Sequence, residues 1–298
     1  MNATHRGLPP LHLLLALAVT AVWGSNFVVI KYALADLPPL TLALLRFVLA
    51  FCPLALFIPR PQVPWRNLAA YGVLIGAGQF GLLFTAMRAD ITPGLASLVV
   101  QAQVFFTIGM AMHLSRERLA GFQIAALVLT CAGIGVIALH TDGSATPLGL
   151  ALVLLAAASW AGGNMVARQA GTVDMLGYVV WSSLFAVPPL LLFALTLEGL
   201  PQMLSGIAAA NRITWAAVVW QAVGNTLFGY GAWGWLLARH QATQVAPLAL
   251  LVPVFGLTTS AIVLGEPMQA WKLTAFALVM AGLIIGLLWP RLASRISR

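Results

Sequence analysis

A chain of 298 residues that is 61% hydrophobic and only 7% charged cannot clothe a water-facing surface, because soluble domains carry about 25% charged residues. The same balance excludes disorder, which needs low hydrophobicity and high charge. The net charge of +8 comes from basic residues scattered singly through short breaks, with none of the basic stripe that nucleic acid requires.

Ten apolar runs lie near the length of about 20 residues that a helix needs to cross hydrocarbon. They cover residues 10–30, 40–58, 68–87, 94–114, 122–139, 147–167, 177–197, 214–237, 244–264 and 270–289. The first follows His5 and Arg6 as a secretory leader would, but Trp23 stands in AVWGS where a cleavage site wants small residues. It is therefore taken as a membrane span. All seven acids, Asp36, Asp90, Glu117, Asp142, Asp174, Glu198 and Glu266, fall in the breaks or at their edges. Unsatisfied backbone is not tolerated in lipid, so the spans are expected to be helices. Cys52 and Cys131 lie in separate apolar runs and read as small buried hydrophobes, with neither a disulfide framework nor metal-ligand spacing.

An even number of spans puts both termini on one side. The termini and the loops after even runs then hold Arg6, Arg60, Arg66, Arg116, Arg118, Arg168, Arg239, Arg291, Arg295 and Arg298, against Lys31, Arg88, Arg212 and Lys272 opposite. Lys and Arg accumulate on the cytoplasmic side, so both termini are expected there.

The chain also repeats. Trp23 precedes Lys31 by eight residues, as Trp160 precedes Arg168. LSRE ends at Glu117 and VLGE at Glu266, and each glutamate is followed at the same distance by an Ala-Gly pair, Ala132-Gly133 and Ala281-Gly282. Two repeats, 1–142 and 143–298, would each hold five spans. An odd number inverts the second half, and inverted repeats are a hallmark of secondary carriers.

Over nearly its whole length the chain resembles the EamA family of the drug/metabolite transporter superfamily. The likeness rests on the ten-span plan and on WGSNFVVIK (Trp23–Lys31), LRF (Leu45–Phe47), SRERL (Ser115–Leu119) and GYGAWGWLL (Gly229–Leu237). NFVVIK, GLASLVVQAQVFFT (Gly94–Thr107) and VAPLALLVPVFGL (Val245–Leu257) look closer still to bacterial exporters of cysteine and O-acetylserine. The resemblance implies an all-α protein of the bacterial inner membrane that exports small, amino-acid-like metabolites and needs no cofactor. It also implies a solute cavity among the first four spans of each half, with the fifth peripheral. A carrier of other amino acids, aromatic compounds or drugs is the nearest alternative; a membrane enzyme or a non-transporting scaffold is more remote. The sequence does not fix the oligomeric state.

Polar groups deep in the runs are candidates for the lining. An unpaired amide in an apolar medium costs several kcal/mol, while a hydrogen bond between membrane helices returns about 0.6 kcal/mol. Gln101 and Gln103, in VVQAQVFF, therefore point to a cavity rather than to stability. Aligning VFF with VFG sets Gln103 against Pro253 and Gln101 against Leu251, an asymmetry between the halves. At about 100° per residue, positions two apart diverge by about 200°, so one glutamine is expected to face the cavity and the other a neighbouring helix, with Gln79 as a partner. Asn26 and Asn164 follow the matched tryptophans, and Gln221 and Asn225 share a helical face at i and i+4. Trp23, Trp160, Tyr230 and Trp233 could receive an ammonium by cation–π attraction of about 1 kcal/mol, or simply pack. Arg46 lies roughly 10 Å into its run; it would snorkel or hold a helix-end carbonyl, or else meet a solute carboxylate. Lys31 reads as an anchor, and Gly72 and Gly76 as a GxxxG close-packing pair. No run has an acid at its middle, and no phosphate loop, HExxH or GxSxG-with-His pattern occurs.

Overall fold

The computed structural model of the chain describes residues 8–115, 121–140 and 142–296. These form helices, with a single isolated β-bridge between Ile91 and Ala145, as backbone confined to lipid requires. Glu117, Arg6, Arg116, Arg118, Arg298 and most of SRERL lie outside the described residues, as do the side chains of Arg291 and Arg295.

The helices are α1 (Pro10–Asp36), α2 (Pro39–Phe51, prolonged by a 3₁₀ turn at Leu54–Leu56), α3 (Trp65–Ala89), α4 (93–115), α5 (Gly121–Leu139), α6 (Pro147–Gln169) and α7 (Met175–Glu198). They continue as α8 (Leu200–Ala209), α9 (212–239), α10 (242–264) and α11 (Ala270–Ile296). Nine helices among the described residues are long and apolar enough to cross a membrane. The expected eighth span, α9, is helical throughout but is not among the nine. Gln221, Asn225, Thr226 and its glycines dilute its hydropathy. The short α8 fills a break that the sequence left without structure. It follows Gly199, whose φ of 82° reverses the chain after α7.

Besides α7, which ends in a π-helical turn at Ala194–Glu198, four helices are irregular within their length. In α3, nine α-helical residues lead into eight residues of wider π-helix, Leu74–Gly81. In α9, nine α-helical residues lead into eight of π-helix, Gln221–Phe228. Helix α4 contains a 3₁₀ turn at Val100–Ala102, and α10 one at Ala246–Leu250. Such interruptions concentrate at functional positions.

Helix α1 packs on α10 and α9, while α6 packs on α4 and α3; α3 also packs on α7 and α9 on α2. Helices α5 and α11 pack chiefly on each other. At their crossing a Cβ on Gly133 would meet the Ala275 carbonyl at 2.9 Å, and one on Gly282 the Ala126 carbonyl at 2.6 Å. The matched Ala-Gly pairs thus mark one close helix crossing from its two sides. Gly72 and Gly76 act as expected, pressing α3 against Ser182 and Ala186 of α7. Cys52 and Cys131 are free, but the expectation that they are buried fails: both are exposed. An apolar run supplies lipid-facing positions as well as core ones, and hydropathy does not separate them.

Candidate functional site

The irregular turns converge on one cavity of about 350 Å³, in the size range of small-molecule sites. Its walls come from α1, α3, α4, α6, α9 and α10, with Met175 from the start of α7. Neither α5 nor α11 contributes, in accord with their expected peripheral place. No charged side chain among the described residues lines it. The wall is aromatic and amide: Trp23, Phe27, Tyr71, Phe80, Trp160, Tyr230 and Trp233 alternate with Asn26, Gln79, Gln101, Gln103, Asn164 and Asn225.

The cavity is asymmetric along the bundle. Towards one end it runs out to Ala167, Met175 and Leu237, in or next to the terminal turns of their helices. Towards the other it stops at Ile30 and Leu83, and Ile30 is about 9 Å of helix short of Asp36.

Gln101 and Gln103 both line it, which corrects the expected division of labour. A 3₁₀ turn advances about 120° per residue, so the divergence of two residues falls from about 160° to about 120°, and long side chains close the remainder. Gln101 is buried, and among the described residues it makes no side-chain hydrogen bond. Gln103 accepts through Oε1 from Asn164 Nδ2 at 3.0 Å, bridging α4 and α6. Gln79 is not the partner expected for either: its Oε1 is buried and unpaired.

Asn26 and Gln221 form a reciprocal amide pair. Gln221 Nε2 donates to Asn26 Oδ1 at 2.7 Å, and Asn26 Nδ2 donates to Gln221 Oε1 at 3.3 Å. Gln221 is fully buried behind the wall. It joins α1 to α9, and the expectation that it lines the cavity beside Asn225 is overturned. Its amide is taken up by Asn26 instead. The Trp23 indole N–H donates to the Asn225 carbonyl at 3.3 Å, and its ring lies 5.7 Å from Tyr230 and 5.2 Å from Trp233.

Lys31, expected as an anchor at the end of its span, donates its ammonium to the carbonyls of Met87 and Arg88 at 3.2 Å. Arg46 is 1% exposed, so it does not snorkel, and it holds no helix-end carbonyl. It stands behind Phe80, with Cζ 3.6 Å from the ring centroid. Tyr71 and Phe80 were not singled out in the sequence; the glycine-rich GAGQFG at 76–81 was the signal for irregular backbone beside a site.

A bundle of membrane-crossing helices around an uncharged cavity that reaches only one end defines a membrane transporter. The EamA-like transporter family matches residues 10–139 and 147–288, and the chain belongs to that family: it is a transporter and not an enzyme. It is 42% identical over 277 residues to a "Probable amino-acid metabolite efflux pump" of Salmonella typhimurium, covering 91% of this chain and 93% of that one. It is 40% identical over 288 residues to a protein of the same description from Escherichia coli K12, covering 93% and 96%. A "Probable terminal-alkyne amino-acid exporter" of Streptantibioticus cattleyicolor is 27% identical over 282 residues, with 91% of each chain covered. A solved crystal structure, 18% identical, shares the fold with a TM-score of 0.63 over 95% of this chain and 99% of the other.

Proposed function

We propose that the protein exports small amino-acid metabolites across the bacterial inner membrane by alternating access, as ten spans arranged in two inverted five-helix repeats. The cavity carries this reading: amides and aromatic faces without net charge suit a zwitterion, whose two charges cancel. Hydrogen-bonding groups can meet both ends of such a solute, and the rings around Trp23 can meet its ammonium. The relatives described as amino-acid metabolite efflux pumps support the solute class, with cysteine and O-acetylserine as leading substrates.

The repeat rests on several observations. The family matches twice, once in 1–142 and once in 143–298. The π-helical stretches of α3 and α9 have equal lengths and equal offsets. Exchanging α1–α5 for α6, α7, α9, α10 and α11 turns each of the packing pairs above into another of them, and the α5–α11 pair into itself. On this reading α9 is the tenth span, and its polar residues are there for the cavity. The excess of Lys and Arg at the end with the termini supports a cytoplasmic location for it.

The wide aromatic wall also favours a second reading, a carrier for amino acids with larger apolar side chains, in line with the exporter of terminal-alkyne amino acids. Purified protein in liposomes, loaded with radiolabelled amino acids and assayed with and without a pH gradient, tests both. Counterflow of cysteine or of a larger apolar amino acid is expected, and the ratio between them ranks the two readings. Absence of flux for every amino acid in both conditions would overturn the proposal. Gln101→Ala is expected to raise KM without loss of folded protein, because Gln101 holds no other side chain.

A further inference from the structure

We propose that Arg46 is a carboxylate-binding residue kept behind a movable aromatic door, Phe80. It pairs with the carboxylate of the solute once Phe80 swings aside. The proposal rests on the amino-acid reading above and names the recognition element that reading lacks.

Arg46 lies in α2, 1% exposed, with Nε and Nη1 both buried and both without a hydrogen-bond partner. The ion pair formed among the described residues is elsewhere, between Lys272 and Glu266. What surrounds the guanidinium is aromatic: Phe80 at 3.6 Å and Phe47 at 5.3 Å from their centroids. Tyr71 and Tyr230 are also close enough to feel its charge. Cation–π contacts return only part of what desolvating a guanidinium costs, and they satisfy no N–H. A buried, unpaired ion within a membrane span marks the path of a substrate rather than a structural need.

Three of those four aromatic residues, Phe80, Tyr71 and Tyr230, also line the cavity. Arg46 is therefore one ring away from the solute. That ring sits in the π-helical stretch Leu74–Gly81, beside Gly76, Gly78 and Gly81. A π-helical turn that rewinds to α shifts the side chains beyond it by one position, about 100° around the helix axis. Phe80 is thus on the segment best able to rotate, next to Gln79, whose Oε1 is unpaired. With the ring withdrawn, the planar N–H fork faces the cavity, and a carboxylate is its geometric complement. The Trp23, Tyr230 and Trp233 rings then receive the ammonium of the same molecule.

The test uses full-length protein with tryptophan fluorescence as the binding signal, since Trp23, Trp160 and Trp233 line the cavity. The wild type is expected to bind cysteine roughly tenfold more tightly than cysteine methyl ester, and Arg46→Gln to lose that preference by weakening cysteine alone. A wild type without preference, or an R46Q protein that keeps it, overturns the proposal. If R46Q does not fold, Phe80→Ala decides: it is expected to widen the preference, and an unchanged ratio overturns the proposal. A separate measurement does not depend on amino acids as substrates. Phenylglyoxal modification of Arg46, followed by mass spectrometry, is expected to be faster in F80A than in the wild type. Sodium butyrate is expected to slow it, whereas butyramide and sodium chloride are not. Protection by butyrate together with no amino-acid binding would retire the amino-acid reading and keep Arg46 as a carboxylate site. Equal protection by butyramide, or no reaction at Arg46 in either protein, overturns the proposal.

Discussion

The two ends of the bundle are held by different chemistry. At the end where the cavity stops, acids cross from one helix to the start of another. Asp36 of α1 accepts from the Asn211 N–H at 3.2 Å and from the Thr214 hydroxyl at 2.5 Å, at the start of α9. Glu198 of α7 accepts from the N–H groups of Leu40 and Thr41 at 2.6 and 3.0 Å, at the start of α2. Asp90 takes the Thr146 hydroxyl at 2.9 Å, ahead of α6. Glu266 takes the Thr92 hydroxyl, the Gly94 N–H and the Lys272 ammonium at 2.5, 3.1 and 3.2 Å. Arg88 and Lys31 close the C-terminal ends of α1 and α3 reciprocally. Among the described residues, the links between helices at the other end involve no carboxylate: Tyr178 to Asn67, Asn67 to the Val166 carbonyl, Trp181 to the Ile58 carbonyl and His12 to His240. Two arginines there lie over tryptophans, Arg60 on Trp65 and Arg239 on Trp235. Charge-assisted bonds are roughly twice as strong as neutral ones, and carboxylates complement the positive ends of helices. The acid-bearing end is therefore the closed one for a physical reason. Opening the cavity there means undoing these latches together.

The largest way to break this contrast is at Glu266, which is 8% exposed and faces a Lys272 that is 1% exposed. Glu266→Ala leaves that ammonium buried and unpaired and uncaps α4, so a loss of about 3–5 kcal/mol is expected. Thermal unfolding in detergent would show it, and adding Lys272→Met should restore most of the loss. Next comes Glu198→Ala, which removes three bonds to the start of α2, at about 1.5–3 kcal/mol. It should also open the closed end. With Cys52 and Cys131 replaced by serine, a cysteine at Leu83 should react with a membrane-impermeant maleimide from that side only when Glu198 is absent. A cysteine at Met175 should react from the opposite side in both backgrounds. Labelling of Leu83→Cys from the closed side in the wild-type background would dissolve the distinction between the ends.

Much of this was legible in the sequence, because hydropathy, amide depth and spacing are local. The runs gave the helices, and the polar residues within them gave Asn26, Gln79, Gln101, Gln103, Asn164 and Asn225 as the amide part of the wall. The geometry of turns was not legible. The paired-glutamine argument assumed 3.6 residues per turn and failed where the helix is tighter; the Gln221–Asn225 argument failed because Gln221 is taken up by Asn26, a pairing between helices that no local spacing shows. Hydropathy also cannot tell lipid from core, which misplaced Cys52 and Cys131. The acids at the run edges looked like ordinary loop residues. Asp36 meets Thr214 and Glu198 meets Thr41 across more than 150 positions of sequence, and no local pattern announces such a pair.

The smallest expected effect is the most diagnostic. Asp174 is the acid described at the open end, and it serves only its own helix, accepting from the N–H groups of Leu176 and Gly177 at 3.3 and 2.9 Å. Asp174→Ala should cost about 1 kcal/mol, the usual loss for a helix N-cap. It should leave the labelling of Leu83→Cys and Met175→Cys where it was, because no second helix hangs on it. The contrast with Glu198→Ala then separates a cap from a latch. Both substitutions remove a carboxylate from a helix start, and only the one whose carboxylate belongs to a different helix should change which side can reach the cavity. Equal changes in labelling for the two would mean that helix-end charge, rather than the crossing between helices, keeps the closed end shut.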